Sequence, residues 1–167
     1  RYICDIMVRR YFTYLLVACV IAVSLTACVK NHAKVVNQIV SDSAYRGTLY
    51  VDRSYTQDST IIFLEFPEGS SKANLILVNA RLSSSETEYY TIAISDLSYN
   101  ATSDIITLKG DNIIPTVSGE DNSELIAKSL EVTVDSSTDP ERIVFTMTMG
   151  SHEVSYSGEL VYKKFIE

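Results

Sequence analysis

Few side chains in this sequence carry the groups that covalent or metal chemistry needs. The chain of 167 residues has three cysteines and two histidines, namely Cys4, Cys19, Cys28, His32 and His152. Nucleophilic catalysis needs a hydroxyl or thiol beside a base, and no serine lies in a Gly-x-Ser-x-Gly segment. The two histidines are too far apart in sequence to form a paired metal motif. We therefore expect no catalytic residue, no metal site and no cofactor, and a protein that is not an enzyme.

Acidic side chains are numerous, but their spacing does not define a site. The loops at residues 120–122 and 135–139 offer oxygen atoms without the glycine-punctuated spacing of calcium loops. After residue 27 the chain carries 11 basic and 20 acidic side chains. A body of that charge repels nucleic acid and anionic lipid headgroups. We expect no nucleic-acid partner.

Tyrosine is the remaining residue type that indicates binding. Eight tyrosines follow Cys28, and each offers an apolar ring with a polar tip. Several tyrosines at the mouth of a barrel can hold a small amphipathic ligand, and we take Tyr50, Tyr90 and Tyr156 as the candidate contacts. The alternative is that they are ordinary strand residues that pack at sheet surfaces.

The N-terminal part has the pattern of an export signal. Arg9 and Arg10 follow Met7, residues 11–29 carry no charge, and small residues follow the apolar stretch. This order is typical of a signal peptide. Residues 1–27 are predicted to be that signal, with Met7 as the true start. One alternative is an uncleaved membrane helix, because residues 11–29 come close to the ~20 residues that span a bilayer. The other is an ordinary signal peptide, with Cys28 a coincidence.

The end of this segment, Leu25-Thr26-Ala27-Cys28, resembles the lipobox of bacterial lipoproteins. The resemblance implies that the Cys28 thiol receives a diacylglycerol, so that fatty acids such as palmitate anchor the chain to a membrane. Two acyl chains hold a protein at a bilayer far more firmly than one. Val29 and Lys30, rather than aspartate, directly follow Cys28, and by analogy with lipoprotein sorting we expect the outer membrane of a Gram-negative bacterium. The mature body would then contain no free thiol, which leaves no disulfide framework.

The mature chain divides into a short tether and a strand-rich domain. Residues 28–44 are polar with interspersed valines and isoleucine, and predict a tether or a short amphipathic helix. Residues 45–167 change to a period of two, with about nine apolar or alternating runs separated by turn residues. The predicted strands are residues 48–52, 60–66, 74–82, 89–97, 105–108, 113–117, 130–134, 143–149 and 154–165. Residues 118–129 are expected to hold a loop with a turn of helix.

Short connections between the runs favour antiparallel neighbours. The first and last strands contain similar segments around Gly47 and Gly158, and pairing them would close the sheet and remove both edges. Segments such as residues 45–49, 75–79, 90–94 and the pair 130–135 with 143–150 resemble the calycin-like, or lipocalin-like, β-barrel lipoproteins of Gram-negative bacteria. The resemblance implies an all-β, antiparallel up-and-down barrel of eight or nine strands over residues 45–167. The Gly-x-Trp of lipocalins is absent, because the chain has no tryptophan.

These observations predict a membrane-anchored, non-enzymatic β-barrel that binds a small hydrophobic ligand in the cell envelope. The alternative is a structural or protein-interaction module of an envelope complex. A large exposed apolar patch would favour the alternative.

Overall fold

The computed structural model describes residues 42–164. The predictions for the signal peptide (residues 1–27), for Cys28 and for the tether before Asp42 lie outside the described residues. Among the described residues, no helix is long and apolar enough to cross a bilayer.

The described chain forms ten β-strands and one short 3₁₀ turn at Ser123–Leu125. The strands are β1 Ser43–Val51, β2 Tyr55–Glu65, β3 Lys72–Ala80, β4 Tyr90–Ala101, β5 Ile105–Gly110, β6 Thr116–Val117, β7 Glu120–Asp121, β8 Ala127–Asp135, β9 Arg142–Met149 and β10 His152–Lys163. The eight long strands pair antiparallel in chain order, with β5 next to β8, and β10 returns to pair with β1. This confirms the prediction of a closed, antiparallel up-and-down barrel.

The predicted seam between the first and last strands is present. Gly47 on β1 lies opposite Gly158 on β10. A Cβ at Gly47 would collide with the carbonyl oxygen of Ser157, so the close approach of the two backbones requires glycine there. The ring of Tyr156 covers the inner side of Gly158, 2.7 Å from where a Cβ would stand. An aromatic side chain thus fills the space that glycine leaves open.

The interior of the barrel is filled by apolar side chains from every long strand. Ten of them, the fully buried leucines and isoleucines, are at most 1% exposed: Leu49, Ile62, Leu64, Leu75, Leu77, Ile92, Ile94, Leu97, Leu108 and Ile143. An internal cavity that admits water would expose its lining. These side chains therefore pack against one another, and an eight-stranded barrel is just narrow enough for that.

A β-bulge near the end of β10 changes which side chains point inward. Leu160 pairs with Tyr45 but Tyr162 pairs with the preceding Ala44, so Val161 is an extra residue. An extra residue reverses the alternation of faces beyond it. Tyr162 is consequently 59% exposed, whereas the side chain of Lys163 is 19% exposed.

The connection between β5 and β8 differs from the sequence prediction. Residues 113–117 do not form one strand, because only Thr116–Val117 pairs with β4, and Ile113 makes an isolated bridge to Ala127. The expected turn of helix is the 3₁₀ turn, which Asn122 caps through its side chain. The last strand runs through Gly158 without interruption. A tight hairpin joins β9 to β10 at Gly150, with φ of +59° at that glycine.

Candidate functional site

The three candidate tyrosines lie in different environments. Tyr50 is on the outer wall and is 43% exposed, and Tyr90 is half-buried against the core at the start of β4. Tyr156 lies inside the barrel, where its ring stacks on Phe145 with centroids 5.3 Å apart. Tyr50 faces outward, because its neighbours Leu49 and Val51 take the inward positions. Ligand binding by any of the three stays a prediction.

The hydroxyl of Tyr156 is already used within the fold. It lies 3.0 Å from the carbonyl oxygen of Thr60 and 3.2 Å from that of Tyr45. Burial raises the pKa of Tyr156 above its ordinary value. The hydroxyl therefore remains a hydrogen-bond donor to the backbone and holds the seam strand β10 against its neighbours.

Sequence reasoning missed a polar cluster at the end of the barrel where β1 begins. The carboxylate of Glu141 is its centre: Oε1 accepts from the hydroxyl of Tyr45 at 2.5 Å, and Oε2 accepts from Ser136 Oγ at 2.7 Å and Lys163 Nζ at 2.8 Å. Glu141 is 8% exposed. The cluster joins the first strand, the loop between β8 and β9, and the last strand.

The electrostatics of this cluster favour a fixed ion pair. Burial alone would raise the pKa of Glu141, but the hydrogen bonds from Lys163, Tyr45 and Ser136 outweigh burial and hold that pKa below its ordinary value. Burial and the bond to Glu141 together raise the pKa of Tyr45 well above its usual range. Both oxygens of Glu141 accept hydrogen bonds from within the fold, and the cluster stabilises this end of the barrel.

A second carboxylate ties two turns together at the opposite end. Asp52 Oδ2 lies 2.7 Å from His152 Nδ1, and Oδ1 accepts from the backbone N–H of Glu153 at 2.8 Å. The hydrogen bonds from His152 and then from Glu153 lower the pKa of Asp52. His152 is the first residue of β10, next to the turn after β9, and its ring has a partner that the sequence does not reveal. The described residues include no group of three or more side chains placed to hold a metal ion.

The outer wall carries an apolar patch that crosses five strands. Tyr162, Ala44, Phe63, Ile76 and Ala93 lie directly opposite one another in a row from β10 to β4. Ile61 and Val78 form a second pair beside this row. We call these seven residues the outer patch. Outward positions of a barrel in water are normally polar. Phe63 and Tyr162 are exposed, four other members of the outer patch are half-buried, and Ala44 is buried between them.

Comparisons with known proteins returned no match, whether against protein-family models, curated proteins or solved structures. The barrel is therefore described from its own geometry. The resemblance to calycin-like lipoproteins stays a prediction.

Proposed function

We propose that this chain is a lipid-anchored, non-enzymatic β-barrel that contacts another protein of the cell envelope through the outer patch. The observation that carries the proposal is the apolar row across β10, β1, β2, β3 and β4, in which every member except the buried Ala44 is partly or fully exposed. Apolar side chains on the inner face are explained by packing, whereas those of the outer patch need another explanation. Contiguous exposed apolar surface is typical of an interaction site.

The interior supports this proposal over a ligand-carrying role. A lipocalin-like carrier needs a cavity, and pockets for small molecules have volumes of about 300–1,000 Å³. The central leucines and isoleucines, such as Leu77 and Ile92, are not accessible even to water. A small hydrophobic ligand inside the barrel stays a prediction that this packing does not favour.

Charge indicates the chemistry of the partner. The described residues carry 9 basic and 19 acidic side chains, and Asp42 and Glu65 each lie two residues from a member of the outer patch. Interfaces combine an apolar, aromatic core with a polar rim, and complementary charge favours encounter. We infer a protein partner with an apolar centre and a basic rim, because anionic lipid headgroups would be repelled.

The anchor on Cys28 is part of the same proposal. The lipobox-like segment supports it, and the outer membrane is the membrane we propose. The described chain enters β1 at Ser43, beside Ala44 of the outer patch. Lipid on Cys28 would keep the barrel at a membrane surface and raise its effective concentration toward a partner there.

Site-specific photo-crosslinking in the producing cell tests the interface. A photoreactive residue replaces Phe63 in the full chain, and the matched control replaces Val144, which is 48% exposed on the outer wall away from the patch. We expect one defined crosslinked protein from position 63 and none from position 144. Equal capture at both positions, or crosslinks to lipid alone, would contradict the proposed interface.

Metabolic labelling with palmitate tests the anchor separately. Label should enter the parent chain and disappear in Cys28→Ser, while Cys19→Ser keeps it. If the Cys28→Ser chain carries as much label as the parent, the anchor is elsewhere or absent.

A further inference from the structure

A trough on the outer wall, on the opposite side of β1 from most of the outer patch, has the features of a binding site. Its volume is about 380 Å³, and it lies over β9 and β10. Tyr50, Ser155, Thr146 and Glu131 lie opposite one another in a row across β1, β10, β9 and β8. The middle of the row has two small hydroxyl side chains, and each end has a large one. The trough exists because of this difference in side-chain size.

The trough continues toward β5 through a distortion in β8. The pairing of β8 with β9 is irregular between Lys128 and Glu131, and Ser129 has a φ of +50°. Its backbone N–H donates to Asp111 Oδ1 at 2.9 Å. Ser129 also lines a second depression of about 510 Å³ that extends to Ser98. The two depressions meet at Ser129 and form one extended surface.

The chemistry of this surface is mixed along its length. The ring of Tyr50 supplies one apolar wall, and the hydroxyls of Thr146, Thr148 and Ser155 line the floor. Charged groups stand at intervals as ion pairs: Arg53 with Glu153 at 3.8 Å, and Lys109 with Glu131 at 2.8 Å. A ligand that fits must stack a flat apolar face on an aromatic ring and offer many hydroxyl groups.

We propose that this trough binds a neutral oligosaccharide, with Tyr50 as the stacking residue. A pyranose ring has an apolar face of C–H groups and a rim of hydroxyls, which match the tyrosine wall and the hydroxyl floor. The extended shape suits several linked sugars. An anionic polysaccharide is disfavoured, because acidic side chains outnumber basic ones in the described chain. This proposal does not depend on the outer patch.

Titration of the purified, ¹⁵N-labelled full chain with chitotriose and, separately, with maltotriose tests it. We expect amide shifts of Thr146, Thr148 and Ser155 with at least one of the two sugars, at concentrations up to about 10 mM, the range of weak binding. Tyr50→Ala should weaken that binding about tenfold or more, and Thr148→Val should weaken it less. Tyr50→Phe, which keeps the ring, should weaken the binding less than Tyr50→Ala. Phe63→Ala, which lies outside the trough, should bind like the parent.

Three results would overturn the proposal. The first is that neither trisaccharide shifts these amides, and the second is that the shifted amides belong to another part of the barrel. The third is that Tyr50→Ala binds as well as the parent. The spectrum of each variant without sugar reports its folding. If Tyr50→Ala perturbs the strand, Thr148→Val tests the site instead, because valine keeps a β-branched side chain in the strand.

Discussion

Ile76 and Leu77 are neighbours on β3 and similar in size, yet they face opposite sides of the barrel wall. Leu77 is completely buried, whereas Ile76 is only half-buried and lies in the middle of the outer patch. Packing determines which residue types occupy the inner face, because every inward side chain of the long strands must fill the same narrow space. The outer face has no such requirement. Apolar residues there are free to serve a partner, and this difference separates what the fold needs from what the function uses.

Truncating the two neighbours on β3 should give the largest contrast. Leu77→Ala removes buried methyl groups and leaves a cavity, which should lower the free energy of unfolding by about 3 kcal/mol. Ile76→Ala should lower it by about 1 kcal/mol, because part of the side chain is already in water. Urea denaturation of both variants measures this. Equal losses would mean that the outer patch is structural.

The same contrast applies to the ion pairs of the two faces. Glu141→Gln leaves the mostly buried Lys163 without its carboxylate, and we expect a loss of about 2 kcal/mol in the free energy of unfolding. Glu159→Gln removes the exposed partner of Arg142 and should change stability by less than about 0.5 kcal/mol. Thermal and urea unfolding of both variants measure these two changes in stability. If Glu141→Gln leaves the free energy of unfolding unchanged, the buried cluster contributes nothing to stability.

Two tyrosines on the two faces give a smaller contrast. Tyr156→Phe keeps the ring against Phe145 but loses the hydrogen bonds to the backbone of Thr60 and Tyr45, at a loss of about 1 kcal/mol in stability. Tyr50→Phe should leave stability unchanged, since its hydroxyl is on the exposed wall. Comparable unfolding curves for these two variants would refute the inside–outside distinction at the seam.

The smallest expected effect is on the pH dependence of stability, and it comes from carboxylates whose pKa is lowered in the folded state. The pKa of Glu141 is lowered in the folded state, so its stabilising contribution is fully present above its unfolded pKa of about 4.3 and is lost as pH falls through the lower folded value. The pKa of Asp52 is lowered as well, and the same sign applies. The midpoint of urea unfolding, measured from about pH 7 to about pH 3, should fall less steeply in Glu141→Gln than in the parent. A steeper fall in the variant would reverse the assigned sign.

The sequence was sufficient to predict the eight long strands and the closure of the barrel, but not the short strands between β5 and β8. Alternation with a period of two revealed β1, β8 and β9, and the similar segments around Gly47 and Gly158 indicated the seam that pairs them. The run at residues 74–82 is apolar on both faces, so the sequence separates Leu77 from Ile76 but does not indicate which of the two faces outward. These signals are local, and local patterns determine which face a strand residue takes.

The buried cluster could not be predicted from the sequence. Glu141 follows a turn-like segment at residues 135–140, which is typical of a solvent-exposed loop. Lys163 points inward only because Val161 is an extra residue in β10. No sequence pattern predicts that bulge. The pairing of Asp52 with His152 likewise depends on two turns meeting at one end of the closed barrel, and such contacts are visible only in three dimensions.

The central claim is that the outer patch, and not the barrel interior, is the binding surface. With the photoreactive residue at position 63, the yield of the crosslinked partner should be compared between the parent, Ile76→Ser and Val144→Ser, at equal levels of folded protein. We expect Ile76→Ser to reduce the yield about tenfold, as loss of a central interface residue does, and Val144→Ser to leave it unchanged. An unchanged yield in Ile76→Ser would contradict the account.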